Sequence, residues 1–195
     1  MDKKKNLIVI VLVLVLVIAG ASVLYKQLGA ELAPEQLAVA ETTPPAETQT
    51  GTEPPKIPAP DVTVYDREGN AVKLSDYFGK PIVMNFWASW CGPCKMEMPD
   101  FNEKSQELEG KVQFLMVNMT DGARETVEIA SDFIAEQGYT FPVFFDTTSE
   151  AAYTYGAYSL PTTFFIDAGG NAIAQATGAI SGETLQRGID LIYTP

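Results

Sequence analysis

Two cysteines in a chain of 195 residues, three positions apart where an apolar run meets a helix-like run, constrain this sequence more than any other feature. They stand in the stretch Asn85-Phe86-Trp87-Ala88-Ser89-Trp90-Cys91-Gly92-Pro93-Cys94-Lys95. Residues 82–87 are apolar except for Asn85, the pattern of a strand buried on both faces. From residue 91 to 109 the apolar spacing is helical. Pro99 lies inside that run, where its missing N–H predicts a kink, and Gly110 ends it. A strand, a tight turn and a helix opening on two thiols would set Cys91 at a helix N-terminus. Unpaired N–H groups and the macrodipole favour a thiolate there. Cys94, one turn further in, should be the more buried. Pro93 fits because the first helical turn needs no donor from it. Such a pair can exchange disulfides: Cys91 attacks a substrate disulfide, then Cys94 attacks Cys91 and releases the reduced substrate, and the reverse course oxidises a dithiol. The alternative is a structural disulfide in a tethered binding domain.

The remaining composition removes competing chemistries. The chain has no histidine. That excludes a Ser-His or Cys-His pair and His-ligated metal. It also excludes haem attachment through Cys-x-x-Cys-His, since Lys95 stands where the histidine would be. Two cysteines cannot complete a four-ligand structural zinc site within one chain. No metal and no cofactor are therefore expected. A net charge of −12 argues against a nucleic-acid partner, whose phosphates call for Lys and Arg.

The N-terminal third reads as an address and a tether. Residues 1–6 carry Lys3, Lys4 and Lys5. The following run, residues 7–24, has no charge and spans about 27 Å as a helix, close to a hydrocarbon core. Tyr25 and Lys26 suit the far interface, and the lysines favour the cytoplasmic side. Residues 7–25 are thus expected to be a single-pass signal-anchor in the cytoplasmic membrane, with the C-terminal domain outside the cytoplasm. The competing reading is a cleaved signal peptide ending near Ala19-Gly20-Ala21, which would give a secreted or periplasmic form. Residues 26–56, rich in Pro, Glu and Thr, are expected to be a flexible linker without packed structure.

Residues 57–195 read as one α/β domain with a mixed sheet and helices on both faces. The predicted elements are a hairpin of 62–65 and 71–74, a short turn capped by Ser75, strands at 82–87, 112–117 and 141–145, and helices at 91–109 and 125–137. Val127, Ala130, Phe133 and Ile134 share one face of the latter, and Gly138 stops it. A short helix at 150–155, strands at 162–166 and 172–177, and a final helix capped by Ser181 complete the domain. Leu185, Ile189 and Ile192 line one side of that last helix.

Four further residues or groups stand out. Glu97 follows Cys94 by three positions on the same ridge, where a carboxylate can accept the Cys94 proton and raise the thiol pKa values by like-charge repulsion. Its alternative is a solvated helix glutamate. Asn85 is a polar residue in a buried strand, for which a hydrogen bond to backbone is the expected fate. Trp90, beside Cys91, should border the site, whereas Trp87, Tyr139, Phe141, Phe144, Phe145, Phe164 and Phe165 read as core. Pro161, in Leu160-Pro161-Thr162-Thr163, precedes a strand, and nothing in its local sequence marks its peptide bond as cis.

The Cys91 motif, Gly79-Lys80-Pro81, Glu97-Met98-Pro99 and Leu160-Pro161-Thr162-Thr163-Phe164-Phe165-Ile166-Asp167 together resemble the thioredoxin superfamily, and within it the membrane-anchored TlpA/ResA-like thiol-disulfide oxidoreductases. The resemblance implies a thioredoxin-like fold with an N-terminal β-hairpin and a helical insertion around 125–137. It implies that Cys91 is the nucleophile, that Cys94 is the resolving thiol and that the two form a redox-active disulfide. It implies a cis Pro161 opposite them, a substrate surface of Trp90, Gly92, Pro93, Leu160 and Pro161, and Glu97 as the active-site glutamate. It also implies protein disulfide or dithiol substrates, among them apocytochrome c during cytochrome c maturation, and a membrane thiol partner as electron donor. A monomer is expected. Asn85 stands where thioredoxins proper carry a buried aspartate, so proton transfer would pass through Glu97 or water. Gly92-Pro93 is the dipeptide of reducing thioredoxins and leans towards reduction. A thiol peroxidase shares the fold, but Met84 and Ala88 replace the Pro/Thr frame of its reactive cysteine.

Overall fold

The computed structural model describes residues 56–194 and the backbone of Leu37–Val39. The predicted membrane segment, the basic residues before it and most of the linker lie outside the described residues. No helix among the described residues is long and apolar enough to cross a membrane.

The strands are β1 (Leu37–Val39), β2 (Thr63–Tyr65), β3 (Ala71–Lys73), β4 (Ile82–Trp87), β5 (Gln113–Asn118), β6 (Val143–Phe145), β7 (Thr162–Ile166) and β8 (Ala172–Thr177). The helices are α1 (Gly92–Glu107), α2 (Val127–Gln137), α3 (Glu150–Thr154) and α4 (Gly182–Ile192), with a 3-10 turn at Leu74–Tyr77. One sheet holds all the strands in the order β1-β8-β7-β4-β5-β6-β2-β3. The β4/β5 and β5/β6 pairs are parallel, and the others are antiparallel. The sheet is therefore mixed, as the sequence pattern requires.

Strand β4 lies at the centre with every residue buried. Its side chains alternate between two apolar clusters, because successive residues of a strand point to opposite faces. Ile82, Met84 and Phe86 join Leu115, Val117, Phe164 and Ile166 against Ala151 and Ala152 of α3. Val83 and Trp87 join Phe114, Met116 and Phe165 against α1 and α4, where Met98, Phe101, Leu185 and Ile189 contribute. By the same alternation Asn85 points to the α1 face. On α2, Ala130 is buried and Val127, Phe133 and Ile134 pack on this second cluster as the helical period predicts. Gly138 caps the helix with φ of 69°.

Three local expectations need correction. The linker is not wholly without structure: Leu37–Val39 adds an antiparallel edge strand to β8, pairing Ala38 with Gln175. A partner nearly 140 residues away is invisible to a local pattern. Ser75 does not cap the 3-10 turn; the Asp76 carboxylate accepts from the Lys73 N–H, while Ser75 is held by Asp61. The strand predicted at 141–145 forms only at Val143–Phe145.

Candidate active site

Cys91 is the N-cap of α1, with extended backbone, and its sulfur accepts a hydrogen bond from the Cys94 N–H at 3.2 Å. That bond satisfies one of the donors a helix start leaves unpaired, and it concentrates positive polarity at the sulfur. Pro93 occupies the first turn, where no donor is required. Cys91 and Cys94 are joined as a disulfide with their Cα atoms 5.3 Å apart. Cys91 is 5% exposed and Cys94 fully buried, in the expected order, while Gly92 and Pro93 are exposed. Cys91 is thus the less buried of the two.

Glu97 is not a solvated helix residue. It is 2% exposed, and its carboxylate accepts from the Asn85 side-chain amide at 2.8 Å and from the Ile180 N–H at 3.0 Å. Burial pushes the Glu97 carboxyl up to about 7 despite the opposing pull of those two hydrogen bonds, and the Asp100 charge adds to the rise. A carboxyl poised there exchanges protons near neutral pH. It sits one helical turn beyond Cys94, on the ridge that carries both thiols.

Asn85 does not bond to backbone as expected. Its amide donates to Glu97 and to the Thr163 hydroxyl, at 2.8 and 2.9 Å. The β4/β7 register places Asn85 directly opposite Thr163. The same register pairs Phe86 with Thr162, so Pro161 falls beside the end of β4 from which the Cys91 turn grows. The Leu160–Pro161 bond is cis, as the resemblance implied. Leu160 packs on the apolar cluster that contains Cys91 and Cys94. Its backbone makes no hydrogen bond to other described residues.

Sequence reasoning missed a second buried carboxylate. Glu125, fully buried, accepts from the Ser89 N–H at 2.7 Å, the Ser89 hydroxyl at 2.6 Å and the Asn118 amide at 2.6 Å. It ties the turn before Cys91 to the end of β5. Its position just ahead of the Thr126 N-cap made it look like an ordinary helix-start acid. Beside it, Arg124 lays its guanidinium 4.0 Å from the centroid of the Trp90 ring, which is 42% exposed. Among the described residues no cluster of Cys, Asp or Glu could hold a metal ion.

Comparison with known proteins places this geometry. The model of the AhpC/TSA family matches residues 55–174. A protein named thiol-disulfide oxidoreductase ResA from Geobacillus thermodenitrificans is 36% identical over 69% of this chain and 75% of its own length. A crystal structure described as a putative thiol:disulfide interchange protein DsbE from Chlorobium tepidum shares 32% identity with a TM-score of 0.62, over 69% of this chain and 94% of that one. The structure of StoA from Bacillus subtilis aligns with a TM-score of 0.57 at 27% identity, over 69% of this chain and 98% of that one.

Proposed function

The chain belongs to the AhpC/TSA family of thioredoxin fold, among the ResA-like thiol-disulfide oxidoreductases, and we propose that it reduces disulfides of proteins outside the cytoplasm. The carrying observation is the pairing of a helix-capping Cys91 with a fully buried Cys94 one turn ahead of a buried glutamate. In the reduced protein the Cys91 thiolate attacks one sulfur of a substrate disulfide and the other sulfur leaves as a thiolate. A mixed disulfide results. Cys94 then gives its proton to Glu97, attacks Cys91 and forms the internal disulfide, so the substrate departs with both sulfurs reduced and the protein has lost two electrons. Asn85 and the Ile180 N–H hold the Glu97 carboxylate in place throughout. Trp90, Gly92, Pro93, Leu160 and Pro161 border the sulfur and receive the substrate chain. The vicinal pair closes on itself and Ala88 stands where a peroxidase would frame its cysteine, which favours disulfide exchange over peroxide reduction.

The direction and place of the reaction rest on sequence. Gly92-Pro93 favours the reducing side. Lys3, Lys4 and Lys5 before an uncharged run support a signal-anchor with the domain exported. The domain has no second cysteine pair to accept electrons, so a membrane thiol protein is the electron donor we propose. Apocytochrome c with a Cys-x-x-Cys-His disulfide is a fitting substrate. Equilibration against glutathione or dithiothreitol tests the direction. A reductase is expected well below about −180 mV, and a value clearly above that would make the protein an oxidant.

A further inference from the structure

Two cations stand on residues close to Cys91 in the fold, and neither makes an ion pair with a described residue. Arg124 is exposed and stacked on Trp90, the residue immediately before Cys91. Lys95 is exposed on the first turns of α1, its N–H donating to the Cys91 carbonyl, and its ammonium stands 5.1 Å over the centroid of the Phe133 ring of α2. The aromatic faces attract both cations through the ring quadrupole. No hydrogen bond to a described residue uses the donors of either side-chain head group. The Arg124 charge is felt by Asp121, whose carboxyl it helps the surrounding N–H groups to hold below the usual carboxylate range. One of its carboxylate oxygens already accepts from the N–H groups of Ala123, Arg124 and Glu125, which fixes the loop that presents the arginine.

We propose that Arg124 on Trp90 and Lys95 on Phe133 form a cationic recognition rim beside Cys91 that selects polypeptide disulfides flanked by acidic residues. The proposal rests on the thiol-exchange reading of the same site and adds the substrate's charge to it. A guanidinium stacked by one face keeps its N–H edges free for a carboxylate, in the bidentate geometry that lysine cannot offer. The protein as a whole is strongly acidic, at −12. At physiological salt the screening length is about 8 Å, so a substrate residue next to the attacked sulfur feels the rim rather than the remote surface.

The test is single-turnover reduction of three disulfide peptides by pre-reduced protein. The peptides differ only in the residues beside their cysteines: Asp, Asn or Lys. At physiological salt the second-order rate constant should be about five-fold or more higher for the Asp peptide than for the Lys peptide. The Asn peptide should fall between them. High salt should bring the ratio towards one, and so should the double substitution R124Q with K95Q. Taking the ratio cancels any general effect of these cations on Cys91 reactivity. A wild-type ratio at or below one overturns the proposal, as does a preference that survives the double substitution. A wild-type protein that reduces none of the peptides and no small disulfide, such as oxidised glutathione, would overturn the thiol-exchange reading itself.

Discussion

Glu97 is a residue whose burial trades stability for chemistry. Its carboxyl is pushed up to about 7 in the folded protein, chiefly by desolvation. An unfolded glutamate titrates near 4.3. Between those values the native state holds a proton that the unfolded state has lost, so the unfolded state binds fewer protons and stability falls as pH rises. The loss is complete above about pH 7 and amounts to something on the order of 3 kcal/mol. Glu97→Gln removes the titration. Denaturant unfolding should show the variant more stable than wild type by about 1–3 kcal/mol at pH 8, with the two converging near pH 4. Parallel pH profiles would show that Glu97 is not perturbed. The same substitution should abolish any rise in the rate of mixed-disulfide resolution centred near pH 7. The spacing of Glu97 from Cys94 was visible in sequence, but its burial was not. The difference comes from Asn85, Thr163 and Ile180, residues remote in sequence that the sheet brings together.

At the level of elements, the site depends on α4 lying flat on β7. Gly188 permits this: a Cβ there would run into the Phe165 ring, which is fully buried on β7. Alanine would gain about 1 kcal/mol of helix propensity at this position. It would also force the helix or the ring to move, and overpacking in a closed core costs roughly 1–3 kcal/mol. Gly188→Ala should therefore lower the unfolding free energy, by up to about 2 kcal/mol in chemical denaturation. Equal or greater stability would mean that the helix–sheet seam is looser than the contact implies. The elements around this seam were legible because their signals are local. The strands β7 and β8 follow residue for residue from an apolar run, a Gly-Gly-Asn turn and a second run. Ser181 caps α4 as expected, its hydroxyl accepting from the Thr184 N–H at 3.2 Å. Edge strand β1 was illegible because its only signal is the free edge of β8.

At the scale of the whole molecule, the sheet order draws separate segments to one end. The end of β4 supplies the Cys91 turn, the start of β7 supplies Pro161, the loop after β8 supplies the Ile180 N–H, and the loop after β5 supplies Glu125 and Arg124. The cysteine motif and the proline motif could be read from sequence because each is contiguous. The Glu125 clamp and the Arg124 stack could not, since they exist only through the parallel pairing of β4 with β5. In the proposed reaction these parts give the two sulfurs unequal roles, with the less buried Cys91 meeting substrate and the fully buried Cys94 behind it. Trapping tests that asymmetry most directly. Reduced Cys94→Ser and Cys91→Ser variants are each mixed with a disulfide peptide, and intact mass with peptide mapping locates any adduct. The predicted result is a stable mixed disulfide on Cys91 in the first variant and little or none on Cys94 in the second. Comparable adducts on both cysteines, or none on Cys91, would contradict the account.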